Sequence, residues 1–421
     1  MKLHPDQWCY QRYLWENTLD INQKPEEKVI KTLIYGVRSS GNQSERGIRQ
    51  TSALSKDQYP EVDRIVNEDL YVDDCMSGEV DDQTSKRRAD EMEIALSRGG
   101  FGLKGFTFSG DDPPASLTKD GESIGVGGLI WYPKSDRISI DVSELNFSKK
   151  QRGKKPTVQV GVIPAKLTRR HCVSKVGEIF DITGKLTPIT ASLKLDLHNL
   201  VELGLSWDDA IPDNLRPIWE DNFAMMQEIN SIRYARTIVP SDAVNLDIST
   251  VDFGDASKQL AAVAIYARML RKNGEYSSQL IFSRSKIISP TTQPRVELIA
   301  AVLNTHTGEV VKRALKSKFK GSIKLTDSTI NLHWINNDEI TLKPFVRNRI
   351  IEIKRFTSSE DWYYINTKQM LADIPTRRGS KLADINHTSR WINGDSWMLT
   401  DVKDFPIKKV SQIILNSSDL T

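Results

Sequence analysis

Four carboxylates in the second half of the chain stand where chemistry could use them. Asp255 ends an apolar run, Val251-Asp252-Phe253-Gly254-Asp255, and Glu297 opens a periodic stretch, Pro294-Arg295-Val296-Glu297-Leu298-Ile299-Ala300-Ala301. Asp327 follows Ile323-Lys324-Leu325-Thr326, and Asp373 lies past Trp362-Tyr363-Tyr364-Ile365. The intervals are 42, 30 and 46 residues, each long enough to hold a strand or helix. Acids at strand ends and helix starts converge on one rim of a sheet once the strands lie side by side. Two hard divalent cations about 3.5–4 Å apart need such an oxygen-rich cluster, and that spacing suits in-line attack on a phosphodiester. Taken singly, each aspartate reads equally well as a cap or turn residue; Asp327 before Ser328-Thr329 could simply start a helix.

A second acidic feature is Tyr71-Val72-Asp73-Asp74, which reads as strand, tight turn, strand. Other Asp-Asp pairs occur at 81–82 and 208–209, so the doublet by itself indicates only a turn.

The elements that would position these groups follow from periodicity and punctuation. Helices are expected from Ser44 after the turn-forming Ser40-Gly41-Asn42-Gln43, from Glu61 to Asn67, and from Thr84 to Ser97 with Ala89, Met92, Ile94, Ala95 and Leu96 as an apolar stripe. Ile124 to Trp131 is expected as one strand, paired with Arg137 to Val142 across Pro133-Lys134-Ser135-Asp136. The basic run Lys149, Lys150, Arg152, Lys154 and Lys155 is either a solvated linker or a phosphate-contacting strip. Leu167 to Met226 is mostly helical: Pro188 stands near one start, Gly204 at its stop, and Pro212 begins a helix with Leu215, Ile218, Trp219 and Phe223.

Composition bounds the class. With 421 residues the chain holds two or three domains, and 38% hydrophobic with 27% charged residues is the balance of a globular protein. A net charge of +3 permits local basic patches without implying them, and Cys9, Cys75 and Cys172 are too scattered for a disulfide framework or a zinc module. No targeting segment or membrane-length apolar run is seen, so no membrane partner is expected, and an intracellular site, cytoplasmic or nuclear, is the default.

The short motifs resemble, in order, those of Bel/Pao-type LTR retrotransposon Pol polyproteins. Tyr71-Val72-Asp73-Asp74 is similar to the palm motif of reverse transcriptases, and Leu3-His4-Pro5-Asp6 with Gln11-Arg12-Tyr13-Leu14-Trp15 resembles the segment after the first polymerase motif. Tyr35-Gly36-Val37-Arg38-Ser39-Ser40-Gly41-Asn42-Gln43 looks like the family's template-contacting segment. Val126-Gly127-Gly128-Leu129-Ile130-Trp131 looks like its primer-end hairpin, and Ile179-Phe180-Asp181 through Thr190 like its thumb/connection region. The four later acids match its ribonuclease H module. Two departures are Met370-Leu371-Ala372-Asp373, where Asn-Pro-Ala-Asp is usual, and Gly254 where a Cys is common.

The resemblance implies a multidomain α/β and α+β chain. It would comprise a partial polymerase palm over 1–145, a helical thumb/connection over 146–240, a ribonuclease H-like mixed sheet with flanking helices over 241–380, and a C-terminal extension over 381–421. It also implies a first palm motif ahead of Leu3, so DNA synthesis is not expected of these residues alone, with Asp73 and Asp74 a polymerase remnant. The implied activity is Mg²⁺-dependent (or Mn²⁺-dependent) endonucleolytic cleavage of RNA in RNA–DNA hybrids, leaving 5′-phosphate and 3′-hydroxyl ends. Asp255 would bridge the metals, Glu297 and Asp327 would hold the one nearer the leaving group, and Asp373 the one activating water. Arg284, Lys286, Lys343, Arg347, Arg349, Arg377 and Arg378 are candidate phosphate contacts; Ser257, Asn304 and Ser328 are candidates for the minor groove, where 2′-hydroxyls identify RNA. Partners implied are the hybrid and a full-length Pol chain or another polyprotein part. Two alternatives are a non-catalytic nucleic-acid-binding remnant and a Pao-type aspartic peptidase, for which no Asp-Thr/Ser-Gly loop is found.

Overall fold

The computed structural model describes residues 2–16, 24–34, 36–79, 81–142, 145–147, 161–337 and 342–413; the basic run at 148–156, Tyr35 and residues 414–421 lie outside these. The chain forms two compact units, Met1–Asp136 and Arg137–Thr421. The four segments expected from sequence are therefore grouped as two.

In the first unit, β1 (Arg12–Trp15) and β2 (Glu26–Val29) form an antiparallel pair. Helix α1 (Ser40–Leu54) begins four residues before the expected start, because Ser40 Oγ donates to Ile34 O at 2.6 Å and Gln43 Nε2 to Ser39 Oγ at 3.0 Å. Those side chains, read as turn formers, instead pin the first helical turn. Helix α2 (Pro60–Glu68) has Pro in its first turn, where no N–H is needed, and Glu61 and Asp63 at its positive end. Next come β3 (Leu70–Tyr71), β4 (Asp74–Cys75) and α3 (Asp82–Ser97), the last capped by Asp81, which accepts from Thr84 N–H at 2.8 Å. Val62, Ile65, Val66, Met92, Ala95 and Leu96 make the core; Ile94 leaves the expected stripe and is 49% exposed.

The single strand expected over Ile124–Trp131 is instead a hairpin, β5 (Ile124–Val126) and β6 (Leu129–Tyr132). Gly127 and Gly128 have φ of +56° and +81°, a left-handed pair that turns the chain back tightly.

The second unit starts with β7 (Arg137–Ile140), followed by α4 (Arg169–Val176), α5 (Thr187–Glu202), α6 (Arg216–Glu228) and β8 (Tyr234–Ala235), which pairs with β7. The sheet strands are β9 (Ile248–Ala256), β10 (Leu260–Leu270), β11 (Tyr276–Ile287), β12 (Phe319–Thr326), β13 (Trp362–Ile365) and β14 (Ile407–Lys408). They lie in the order β11-β10-β9-β12-β13-β14; β12 runs parallel to β9 and β13, and the other pairs are antiparallel. Helix α7 (Gln293–Leu315) links β11 to β12, and α8 (Thr329–Asn336) and α9 (Pro344–Phe356) follow β12. Short helices α10 (Asp373–Thr376), α11 (Leu382–Ile385) and α12 (Arg390–Asn393) precede β14.

Strand β10 reads Leu-Ala-Ala-Val-Ala-Ile-Tyr-Ala-Arg-Met and is buried almost throughout, which is why it lacks polar alternation. One face packs Ala261, Val263 and Ile265 against Val296, Ala300 and Leu303 of α7. The other face receives the chain end: Tyr266 OH donates to Trp391 O at 2.7 Å and Arg268 Nε to Met398 O at 2.6 Å. Arg268, 1% exposed, also donates to Thr400 O and lies against the Tyr276 and Phe405 rings. Residues 381–413 are thus strapped to the sheet, with β14 extending it.

Candidate active site

The parallel pairing of β9 and β12 brings the first two acids together. Leu325 is level with Phe253, and Asp327 and Asp255 each follow two residues later, so both leave adjacent strands at the same end. Asp373 opens α10 after β13, the next parallel strand. Glu297 reaches this rim from the first turns of α7, where Gln293 Nε2 donates both to Ala256 O (3.2 Å) and to Glu297 Oε1 (2.9 Å), tying the helix start to the end of β9. Gly254 faces α7 closely: a Cβ there would sit 3.1 Å from the Asn304 side chain.

The acids sense one another. Burial, then the charges of Asp327 and Asp373, push the Asp255 carboxyl up to about 7, against the lowering effect of the Thr376 hydroxyl. Burial likewise raises Glu297, with Asp327 adding to it while Ser328 and Gln293 oppose. Asp327 is raised by burial and by Asp373, and lowered by Thr367.

Each carboxylate is held by a local donor. Thr376 Oγ1 donates to Asp255 Oδ2 at 2.8 Å, Thr367 Oγ1 to Asp327 Oδ2 at 2.7 Å, and Arg377 pairs with Asp373. Among the described residues no three such side chains close into a ready metal cluster. The donor set nonetheless fits a hard divalent cation. These are oxygen ligands gathered where burial and mutual repulsion already disfavour their charge, and no Lys or Arg ion pair to Asp255, Glu297 or Asp327 occurs among the described residues.

Of the expected nucleic-acid contacts, Arg284, Lys286, Lys343, Arg347, Arg377 and Arg378 are exposed. Arg284 and Lys286 lie within the third strand, β11, rather than after it. Arg377 is engaged with Asp373, and Arg349 is folded over the Phe345 ring at 3.5 Å. Ser257 closes the β9–β10 turn through its N–H to Leu260 O at 2.8 Å.

Two expectations are corrected. Asn304 is fully buried, donating from Nδ2 to Asp252 O (3.0 Å) and accepting from Lys324 Nζ (3.3 Å), so it stabilises a buried ion pair and does not face a groove. Ser328 is buried as the cap of α8, accepting from Asn331 N–H at 3.3 Å. Sequence reasoning missed Thr376, Thr367 and Gln293. Only Gln293, four residues before Glu297 on one helix face, carries a local signal.

In the first unit Asp73 is exposed at the hairpin tip, while Asp74 Oδ2 accepts from Gly127 N–H at 2.8 Å. Val72 holds φ of +57°, a strained conformation for a β-branched residue.

Residues 168–328 match the family model of the Pao retrotransposon-like RNaseH-like domain. The match begins at the cap of α4, well ahead of the sheet, and includes Asp255, Glu297 and Asp327. No curated protein matches the chain. Among solved structures, a foamy viral protease–reverse transcriptase in complex with double-stranded DNA aligns at 12% identity with a TM-score of 0.48, covering 87% of this chain and 54% of that one. A foamy viral protease–reverse transcriptase in complex with RNA/DNA hybrid aligns at 11% and 0.45, covering 87% and 42%. RNase H1 from Halobacterium salinarum NRC-1 aligns at 13% and 0.20, covering 28% and 83%. The chain thus spans about half the length of the foamy viral chains. Residues 168–328 are thus similar to the Pao retrotransposon-like RNaseH-like domain, a likeness that covers less than half of the chain.

Proposed function

We propose that the second unit is an endoribonuclease that cuts RNA in RNA–DNA hybrids, with Asp255, Glu297, Asp327 and Asp373 as the holders of Mg²⁺ or Mn²⁺. The observation that carries this reading is the gathering of half-buried, mutually repelling carboxylates at one end of a sheet within the stretch that matches the RNaseH-like family model. When bound there, the cations supply charge neutralisation at the phosphodiester and a lowered pKa for water. The residues of the chain do the placing. β9 and β12 present Asp255 and Asp327 side by side, α7 brings Glu297, and Thr376 donates a hydrogen bond to Asp255. Hydrolysis breaks the P–O3′ bond, giving a 5′-phosphate and a 3′-hydroxyl.

We also assign Met1–Asp136 as part of a polymerase-type palm, on the strained Val72 turn, the exposed Asp73 and the Asp74–Gly127 hydrogen bond. Helices α4 to α6, expected as a thumb/connection, fall within the stretch that matches the RNaseH-like family model.

The test is a labelled RNA–DNA hybrid incubated with the purified chain, with and without Mg²⁺. Metal-dependent internal cuts bearing 5′-phosphates, abolished by Asp255→Asn, support the reading. Tight hybrid binding without turnover under any divalent metal rejects it in favour of a binding remnant.

A further inference from the structure

The face of the sheet that bears Asp255 also carries α5, a helix ahead of the sheet in sequence. Asp255 pairs with Ala262 and Ala262 with Ser285, and directly paired residues share a face, so Ser285 lies level with Asp255 two strands away, about 10 Å. Lys194 of α5 reaches across to it: Nζ donates to Ser285 Oγ at 3.2 Å and to Ser285 O at 3.4 Å. Arg284 and Lys286 flank Ser285 and emerge on the opposite face of β11, exposed and without an ion-pair partner among the described residues.

The position of α5 is built into the fold. Thr183 O accepts the N–H of Ser283 on the outer edge of β11 at 3.0 Å, and Lys185 Nζ donates to Leu280 O at 3.0 Å. Between them Gly184, with φ of +75°, approaches so closely that a Cβ would sit 1.9 Å from Ser283 O. Burial pushes the Lys194 ammonium below the ordinary lysine range; Asp181 opposes this and Arg284 adds to it. Cations thus crowd one another on both faces of an edge strand, beside a rim of acids. Charges on edge strands also serve to block edge-to-edge pairing, which is the competing explanation for Arg284 and Lys286. It does not account for Lys194, which lies on a helix.

We propose that Lys194, Arg284 and Lys286 form a phosphodiester-binding strip, which seats the sugar–phosphate backbone of the hybrid beyond the point of cleavage. Helix α5 thereby becomes part of the substrate surface of the nuclease. This rests on the nuclease reading of the same sheet end, but binding can be measured apart from cleavage.

The experiment is fluorescence anisotropy of a labelled RNA–DNA hybrid with the full chain in EDTA, over a range of salt. Lys194→Gln, Arg284→Gln and Lys286→Gln are each expected to weaken Kd by about 3–10-fold, and each to lower the slope of log Kd against log salt by about one. Lys194→Arg, which keeps the charge, is expected to bind within about twofold of wild type, separating charge from packing. The strip is overturned if Lys194→Gln leaves Kd and slope unchanged, if Lys194→Arg is as weak as Lys194→Gln, or if the wild-type chain binds no hybrid. Binding that follows this pattern without Mg²⁺-dependent cutting would keep the strip and remove the nuclease. Cutting with unchanged binding in the variants would do the reverse.

Discussion

Two aspartates three residues apart on β9 are treated in opposite ways. Asp252 faces α7, fully buried, and Lys324 Nζ sits 2.7 Å from its Oδ2 with Asn304 alongside. Asp255 faces the other side of the sheet and meets a threonine hydroxyl and more acids. One fully buried charge is neutralised within the protein; the other, half-buried, has no cationic partner among the described residues. The Asp73-Asp74 hairpin marks a third condition: Asp73 is open to water at its tip, and Asp74 accepts from Gly127 N–H. Acidic residues become a candidate site when a fold both buries and crowds them, and adjacency in sequence achieves neither.

The largest effect is expected from removing the uncompensated member of the pair. Asp255→Asn should lower Mg²⁺-dependent hybrid cleavage on the order of 10³-fold, read by single-turnover assays, while the chain stays folded. Cleavage within tenfold of wild type would deny Asp255 its role. The compensated member should respond in stability. Lys324→Met leaves the Asp252 charge buried and alone, at a cost of about 3–5 kcal/mol, and the double variant Asp252→Leu/Lys324→Met should recover most of it. Denaturant midpoints give both figures, and equal losses in single and double variants would show that packing, not charge, dominates.

The Asp255 side of this contrast was legible in the sequence and the Asp252 side was not, for physical reasons. Each of the four acids follows or opens an element recognisable in the sequence, and parallel pairing aligns Asp255 with Asp327. Asn304 was misread because polarity on a helix does not tell which face is buried; its partners Asp252 and Lys324 come from two different strands. Thr376 could not be seen, since its contact to Asp255 spans 121 residues and depends on where α10 docks. The turn at Gly127-Gly128 was written in the residues but outweighed by the apolar run around it. The docking of residues 381–413 was hidden for a different reason. It depends on Tyr266 and Arg268, polar-tipped side chains on a strand with no alternation to signal two covered faces.

A smaller effect tests whether Asp255 is truly uncompensated without metal. Its carboxyl titrates at about 7 in the folded chain, against an ordinary value of 3.8. Between those values the folded state holds a proton that the unfolded state has released. Stability is therefore fully present below about pH 4 and is lost as pH rises through about 7. In EDTA, the second unit should lose on the order of 2 kcal/mol between pH 5 and pH 8, a decline that Asp255→Asn removes. Millimolar Mg²⁺ at pH 8 should offset the loss by mass action. A flat wild-type profile in EDTA would mean that Asp255 already has a partner.

The smallest effect concerns a hydroxyl that touches the uncompensated acid. Thr376 Oγ1 bonds Asp255 Oδ2 and also Asp373 O at 3.1 Å, so one side chain links the strand carrying the first acid to the helix carrying the last. A hydrogen bond to a charged group contributes about 1.5–3 kcal/mol when both partners are held, and less where a cation takes over the restraint. Thr376→Val keeps the shape and removes the donor. It should lower kcat about tenfold and raise the Mg²⁺ concentration needed for half-maximal rate, with KM for the hybrid unchanged. Thr376→Ser restores the donor and should recover most of both. If serine and valine are equally impaired, the methyl packing of Thr376 governs the site, and its bond to Asp255 does not position the acid.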